Sequence, residues 1–292
     1  MALLVLLTLP AHAHAHVEPD AQTGRGVQPP ASTTSVRALL QEARRGEEAG
    51  DLRAALESLR KARAIAPDSE DVLGAFAQVA LAARMLLPAI ATLDALTRIC
   101  PTVARYHHMM GVALTQAGDM PAAVESLQRA NRLEPEQPAT LLALGLALNG
   151  RTRYAEAKTA LLTSLELDPA NIDGLAALAE AEAGAGEWRQ AEEHARRVLT
   201  AAAAHATGHL VMGMVLMQRA RYADARDALE HAISADPASP AGHYQLSLAY
   251  ARLGDEAASR TQVELYRQKL RETETRIEAA RALRTTTGER QP

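Results

Sequence analysis

The chain has 292 residues, 48% of them hydrophobic but only 3% aromatic, and a net charge of −4 from 31 basic and 35 acidic side chains. Leu and Ala carry the apolar content, which favours helices over strands. The mild charge, with only three Lys among scattered Arg and acidic residues, shows no basic stripe and so excludes a nucleic-acid binder. The single cysteine, Cys100, excludes an intramolecular disulfide and any multi-cysteine zinc site. Next to Pro101 at a helix end, it reads as a packed thiol.

In chain order, residues 1–15 read as an export signal. The apolar run Ala2–Leu9 is too short to span a bilayer, which needs about 20 residues. Ala11-His12-Ala13 and Ala13-His14-Ala15 then supply small-residue cleavage sites. No Lys or Arg precedes the run, and no Cys follows it closely, which excludes a lipid-anchored lipoprotein. The expectation is a periplasmic or secreted protein with no stable membrane span after signal removal. Residues 16–35, rich in Pro and Gly, read as a flexible linker.

From Val36 a repeat governs the chain. Pro67, Pro101, Pro135, Pro169 and Pro237 fall on a 34-residue step, with Ala203 in the vacant slot. Twelve residues before each slot stands Ala55, Ala89, Ala123, Ala157, Ala191 or Ala225. Eight before each stands Leu59, Leu93, Leu127, Leu161, Ala195 or Leu229. Small residues let two helices approach, Leu fills the seam, and Pro stops the second helix. In the clearest unit Gly118 suits a left-handed C-cap, Asp119 an N-cap and Pro121 a first helical turn. Units start at 36, 70, 104, 138, 172, 206 and 240, and each is expected to bury its faces only against its neighbours. Residues 256–284 read as a long last helix whose polar outer side caps the open end, and 285–292 as a disordered tail.

This pattern resembles the tetratricopeptide repeat over residues 36–269. The resemblance implies an all-α, right-handed superhelical α-solenoid of about seven 34-residue helix-turn-helix units with a long C-terminal capping helix. The departures are Arg84, Thr152 and Ala220 in place of the turn glycine, Ala203 in place of a proline, and an Ala-rich fifth unit.

Candidate sites are weighed against packing. Tyr154, Trp188 and Tyr222 all occupy the start of a second helix, which marks packing residues rather than a ligand platform. His12, His14 and His16 alternate as a loose metal tract would, but signal cleavage removes one or two of them, and His205 and His209, four apart, lack a third ligand. Adjacent His107 and His108 face different ways. No metal or other cofactor is called for, and no catalytic motif is present, so the chain is read as not an enzyme.

In the resembled family the first helix of each unit lines a concave groove through its second, fifth, ninth and twelfth positions. Here these give Arg105, His108 and Val112 in unit three, and Leu142 and Leu146 in unit four. Unit six gives Leu210, Met214 and Met217, and unit seven Tyr244 and Leu248. The Lys and Asn with which family co-chaperones grip a carboxylate-ended peptide are absent from those positions. The expected function is a non-catalytic scaffold or adaptor that holds a protein or peptide partner in this groove, with an apolar segment or amphipathic helix as the partner. The alternatives are a regulatory or substrate-presenting subunit of an envelope enzyme or secretion complex and, third, a metal-handling protein using the His tract. The pattern names neither the partner nor the oligomeric state.

Overall fold

The computed structural model describes residues 31–288. The expected signal at 1–15 with its three histidines, the linker up to residue 30, and residues 289–292 of the tail lie outside the described residues. The described residues form fourteen α-helices and no strand, paired in seven units. The first helices of the units are α1 (Ala31–Glu48), α3 (Glu70–Ala82), α5 (Ala104–Ala117), α7 (Pro138–Asn149), α9 (Ile172–Gly184), α11 (Ala206–Gln218) and α13 (Pro240–Leu253). Their partners are α2 (Leu52–Ile65), α4 (Leu86–Ile99), α6 (Met120–Leu133), α8 (Tyr154–Leu167), α10 (Trp188–Ala201), α12 (Tyr222–Ala235) and α14 (Glu256–Gly288). Helix α1 starts five residues inside the segment read as linker, and α14 ends four residues inside the segment read as tail.

The turn between paired helices needs one left-handed residue, and every unit supplies it at the same position. Gly50, Gly118, Gly186 and Gly254 adopt it freely, while Arg84, Thr152 and Ala220 are held at φ of 56°, 56° and 59°. Within a unit the helices close to backbone-limited distance. A Cβ on Gly111, Gly145 or Gly213 would lie 2.3, 2.4 or 2.5 Å from Cγ of Leu127, Leu161 or Leu229. Unit five replaces this Gly–Leu pair with Ala179 and Ala195, both fully buried, in a small separate core. Its missing proline does not prolong α10, because His205 takes over the next helix start. There Nδ1 accepts from the Gly208 N–H at 3.3 Å, and Nε2 lies 3.0 Å from Asp173.

First helices touch one another from unit to unit along the whole array, and no comparable contact joins consecutive second helices. The first helices are therefore the inner layer and the second helices the outer one.

One expectation is overturned. Units do not meet only their neighbours, because α14 returns to units two and three. At 33 residues it is about 50 Å long. Its first half pairs with α13, and its second half packs on α4 and α5. Ala280 is fully buried within the core cluster that holds Ile90 and Leu93 of α4. Gly118 lets the helix pass, since a Cβ there would lie 2.5 Å from Thr273 Cγ2. Arg281 donates to both carboxylate oxygens of buried Asp119 at 2.9 and 3.0 Å. Asp119, at the start of α6, thus commits both carboxylate oxygens to α14. The last helix is not a free polar cap; it ties the seventh unit to the second and third.

Candidate functional site

The inner wall is built from the first helices, and position within the unit decides what each side chain does. Fifth-position residues lie in the seam between successive first helices. His108, Leu142 and Leu210 are buried there, and His108 Nδ1 is 3.1 Å from Thr140 Oγ1 across the seam. Val112, at the ninth position of unit three, is buried as well. These four expected groove residues are core, because the following unit's first helix covers them. Arg105 is exposed, but its guanidinium lies over the Tyr106 ring and donates to the Tyr106 hydroxyl at 3.0 Å, which donates to Glu70 at 2.8 Å. It is turned back toward α3. Burial and the Glu70 bond push the Tyr106 hydroxyl up to about 12, so it stays a neutral donor.

The open wall is the ninth-position row of units four to six together with the twelfth position beside it. Leu146, Met214 and Met217 are partly buried here. Between Leu146 and Met214 stands Glu180 of α9, which the unit-by-unit reading of the sequence passed over. Burial pushes its carboxyl above the usual range, and the side chain of Asn149 acts against that rise. Asn149 is itself buried. Its Nδ2 donates to the Ala177 carbonyl at 2.8 Å, while its Oδ1 has no hydrogen-bond partner among the described residues. The apolar row is thus interrupted once, by the partly buried Glu180 carboxyl, beside which the Asn149 side chain lies. The sequence signal was available: Asn149 and Glu180 occupy positions twelve and nine of consecutive units. What it did not reveal is that Asn149 would be buried with one oxygen unmatched.

The remaining expected groove residues, Tyr244 and Leu248 of unit seven, are exposed, with no following unit against them. Other side chains weighed from sequence are engaged in structure. The Tyr154 ring fills the space beside Gly184 in the next unit, and Trp188 packs in the core of units five and six. His209 stacks against His231 and contacts the Ala203 carbonyl at 2.8 Å, and His107 the Pro101 carbonyl at 2.9 Å. Burial and Glu70 push the Cys100 thiol up, away from a reactive thiolate. No group of three metal-ligating side chains occurs among the described residues, and no helix among them is long and apolar enough to cross a membrane.

Comparison with known proteins bears on the fold. Two family models described as tetratricopeptide repeat match residues 47–112 and 104–137. No curated protein matches the chain. Among solved structures, a tetratricopeptide repeat protein from Parabacteroides merdae is similar at 13% identity and a TM-score of 0.65, over 85% of this chain and 99% of that one. A chain of the APC/C hetero-tetramer is similar at 16% identity and 0.59, but only 42% of its length is spanned, against 75% of this chain. MamA is similar at 19% identity and 0.52, over 57% of this chain and 92% of that one. These likenesses lie below the identity at which anything but the fold is shared. With the family matches over residues 47–137, the 34-residue step and seven inner-and-outer helix pairs, the fold is that of a tetratricopeptide repeat solenoid.

Proposed function

We propose that the chain is a non-catalytic adaptor that binds an extended, mainly apolar polypeptide along the first-helix wall of units four to six. The observation that supports this is the row of only partly buried Leu146, Glu180 and Met214 at the ninth position of successive first helices. Glu180, only partly buried, offers a hydrogen-bond acceptor that a ligand N–H can meet. An extended chain carries such N–H groups at every non-proline residue, while Met adapts to its side chains. Few formal charges take part, so binding tolerates salt. The apolar run at Ala2–Leu9 and the Ala-x-Ala sites support an exported adaptor, which N-terminal sequencing of native material checks.

The test uses an array of immobilised extended peptides rich in Leu, Val and Met. Wild-type chain should retain a subset whose binding persists at high salt. Leu146→Asp with Met214→Asp should abolish it while the helical circular dichroism stays. N-methylation at one peptide position should weaken a retained peptide about tenfold, as one lost hydrogen bond implies. Binding untouched by the double substitution removes the wall as the site, and indifference to N-methylation at every position removes Glu180 from recognition.

A further inference from the structure

Because consecutive second helices are not in close contact, each pair of adjacent units leaves a furrow between them on the outer surface. Further along the array an apolar side chain fills it. Leu165, Leu199 and Ile233 lean onto Gly174, Gly208 and Gly242 of the next first helix, at 3.3, 3.1 and 3.1 Å from where a Cβ would stand. Between units one and two the same place holds Arg63, and fully buried Val72 stands where those glycines do. A groove of about 470 Å³ remains there, walled by Pro67, Phe76, Met85 and Pro88, with Arg60 and Arg63 on its α2 side. Met85 is part of the difference, since that turn position is Asp51, Asp119, Arg153, Glu187, Arg221 or Asp255 in the other units.

The two guanidiniums are not neutralised inside the protein. Arg63 lies over the Phe76 ring, 5.6 Å from its centroid, and reaches Thr92 Oγ1 at 3.5 Å, contacts that place its charge at the groove without cancelling it. Among the described residues neither Arg60 nor Arg63 pairs with a carboxylate, whereas Lys61 on the same helix pairs with Glu57 at 3.1 Å. We propose that this groove binds an acidic peptide in which an apolar side chain stands between carboxylates. Charge complementarity selects the occupant. A guanidinium takes a carboxylate on two parallel N–H donors, and two of them on one helix suit carboxylates on either side of a single residue. The apolar wall of Met85, Pro67 and Pro88 takes that residue's side chain, a contact that an inorganic anion leaves unused. Two cations make no basic stripe, so the groove does not suit a nucleic-acid backbone. It lies on the outer surface, apart from the inner wall of units four to six, and works by charge where that wall works by apolar contact.

Fluorescence anisotropy on the full chain tests this with a fluorescein-labelled peptide that carries one leucine between two pairs of glutamates. The probe should bind, and more weakly as salt rises, because its contacts are charged. A counterpart with glutamines for the glutamates should bind at least about tenfold less tightly. Arg60→Met with Arg63→Met keeps the unbranched stems and should weaken the probe by about tenfold for each guanidinium lost. Both side chains are exposed, so the helical circular dichroism should not change. Met85→Asp restores the charge of the other units at a position where Asp suits a helix start, and should repel the probe in a folded protein. Equal binding of the glutamine peptide, or a probe indifferent to the double methionine variant, overturns the proposal. A peptide with glycine for the leucine that binds as well as the probe, and is displaced by inorganic phosphate, reduces the groove to a simple anion site and overturns the peptide reading. Binding that appears only after removal of residues 1–30 assigns the groove to that segment instead. Leu146→Asp with Met214→Asp should leave this probe bound, so failure here and failure of the inner-wall reading are separable.

Discussion

At the scale of single residues, the array is held by a few positions where geometry leaves no choice. The left-handed turn residue is the clearest. Thr152 is β-branched and yet sits at φ 56°, in the place that Gly118 and Gly186 occupy in the adjacent units. A non-glycine residue there costs about 1–2 kcal/mol, while glycine adds about 0.5–1 kcal/mol of unfolded-state entropy. The strain is the larger of the two, so Thr152→Gly should stabilise the protein by about 0.5–1 kcal/mol in urea unfolding. A destabilised variant would show that the Thr152 side chain contributes packing that the burial pattern does not reveal. The same positions show what the sequence made legible. Its spaced prolines, alanines and leucines gave every helix pair its phase, because each acts through contacts inside one unit. The groove residues were harder. Whether a ninth-position side chain is wall or core depends on how tightly the following unit seats, so Val112 is buried while Leu146 and Met214 are not.

At the scale of elements, α14 is where local reasoning ends. Read alone, its sparse apolar stripe suits a solvated cap. The signal for its docking lies 162 residues away in sequence, in the partner of Arg281. There is a further trace in α4, where partly buried Ala91 stands at the position that holds exposed Glu57, Glu125, Glu193 and Asp227 in other units. Thr159 and Thr261 fill the place in units four and seven, so unit two alone is apolar there, as a covered face would be. The Asp119 carboxyl has a defined pH signature. Burial alone would raise its pKa, but the Arg281 hydrogen bond and charge, the nearby Ala122 N–H and Arg284 outweigh this and hold it below the usual value. A depressed carboxylate stabilises the fold above its unfolded pKa, about 3.9, and loses that contribution as pH falls through its lower folded value. Asp119→Asn should therefore lower the melting temperature at pH 7, and the gap to wild type should narrow as pH falls below about 3.9. A gap that persists in acid would mean that the substituted amide is damaging by shape rather than by charge.

At the scale of the whole molecule, that one helix changes what kind of object the array is. A linear solenoid has stability that is a sum over units and their immediate interfaces, so its ends fray and its unfolding is spread out. Here the seventh unit grips the second and third, and damage at either end is felt at the other. Ala280 is the residue on which this turns, fully buried in the cluster that holds Ile90 and Leu93. A carboxylate placed there is taken out of water into an apolar cluster, which is costly for a charge. Ala280→Glu should therefore expel the second half of α14 from α4 and leave its first half on α13. Small-angle scattering should show a larger maximum dimension, because up to 18 residues beyond Leu270, about 27 Å of helix, swing free. Urea unfolding should broaden, with a lower slope, as the closed array becomes a linear one. Hydrogen exchange should rise over residues 271–284 and in α4, while α7 and α8 keep their protection. An unchanged scattering profile would show that the closure does not depend on this contact. A sharp transition in an expanded molecule would show that the array is cooperative without it.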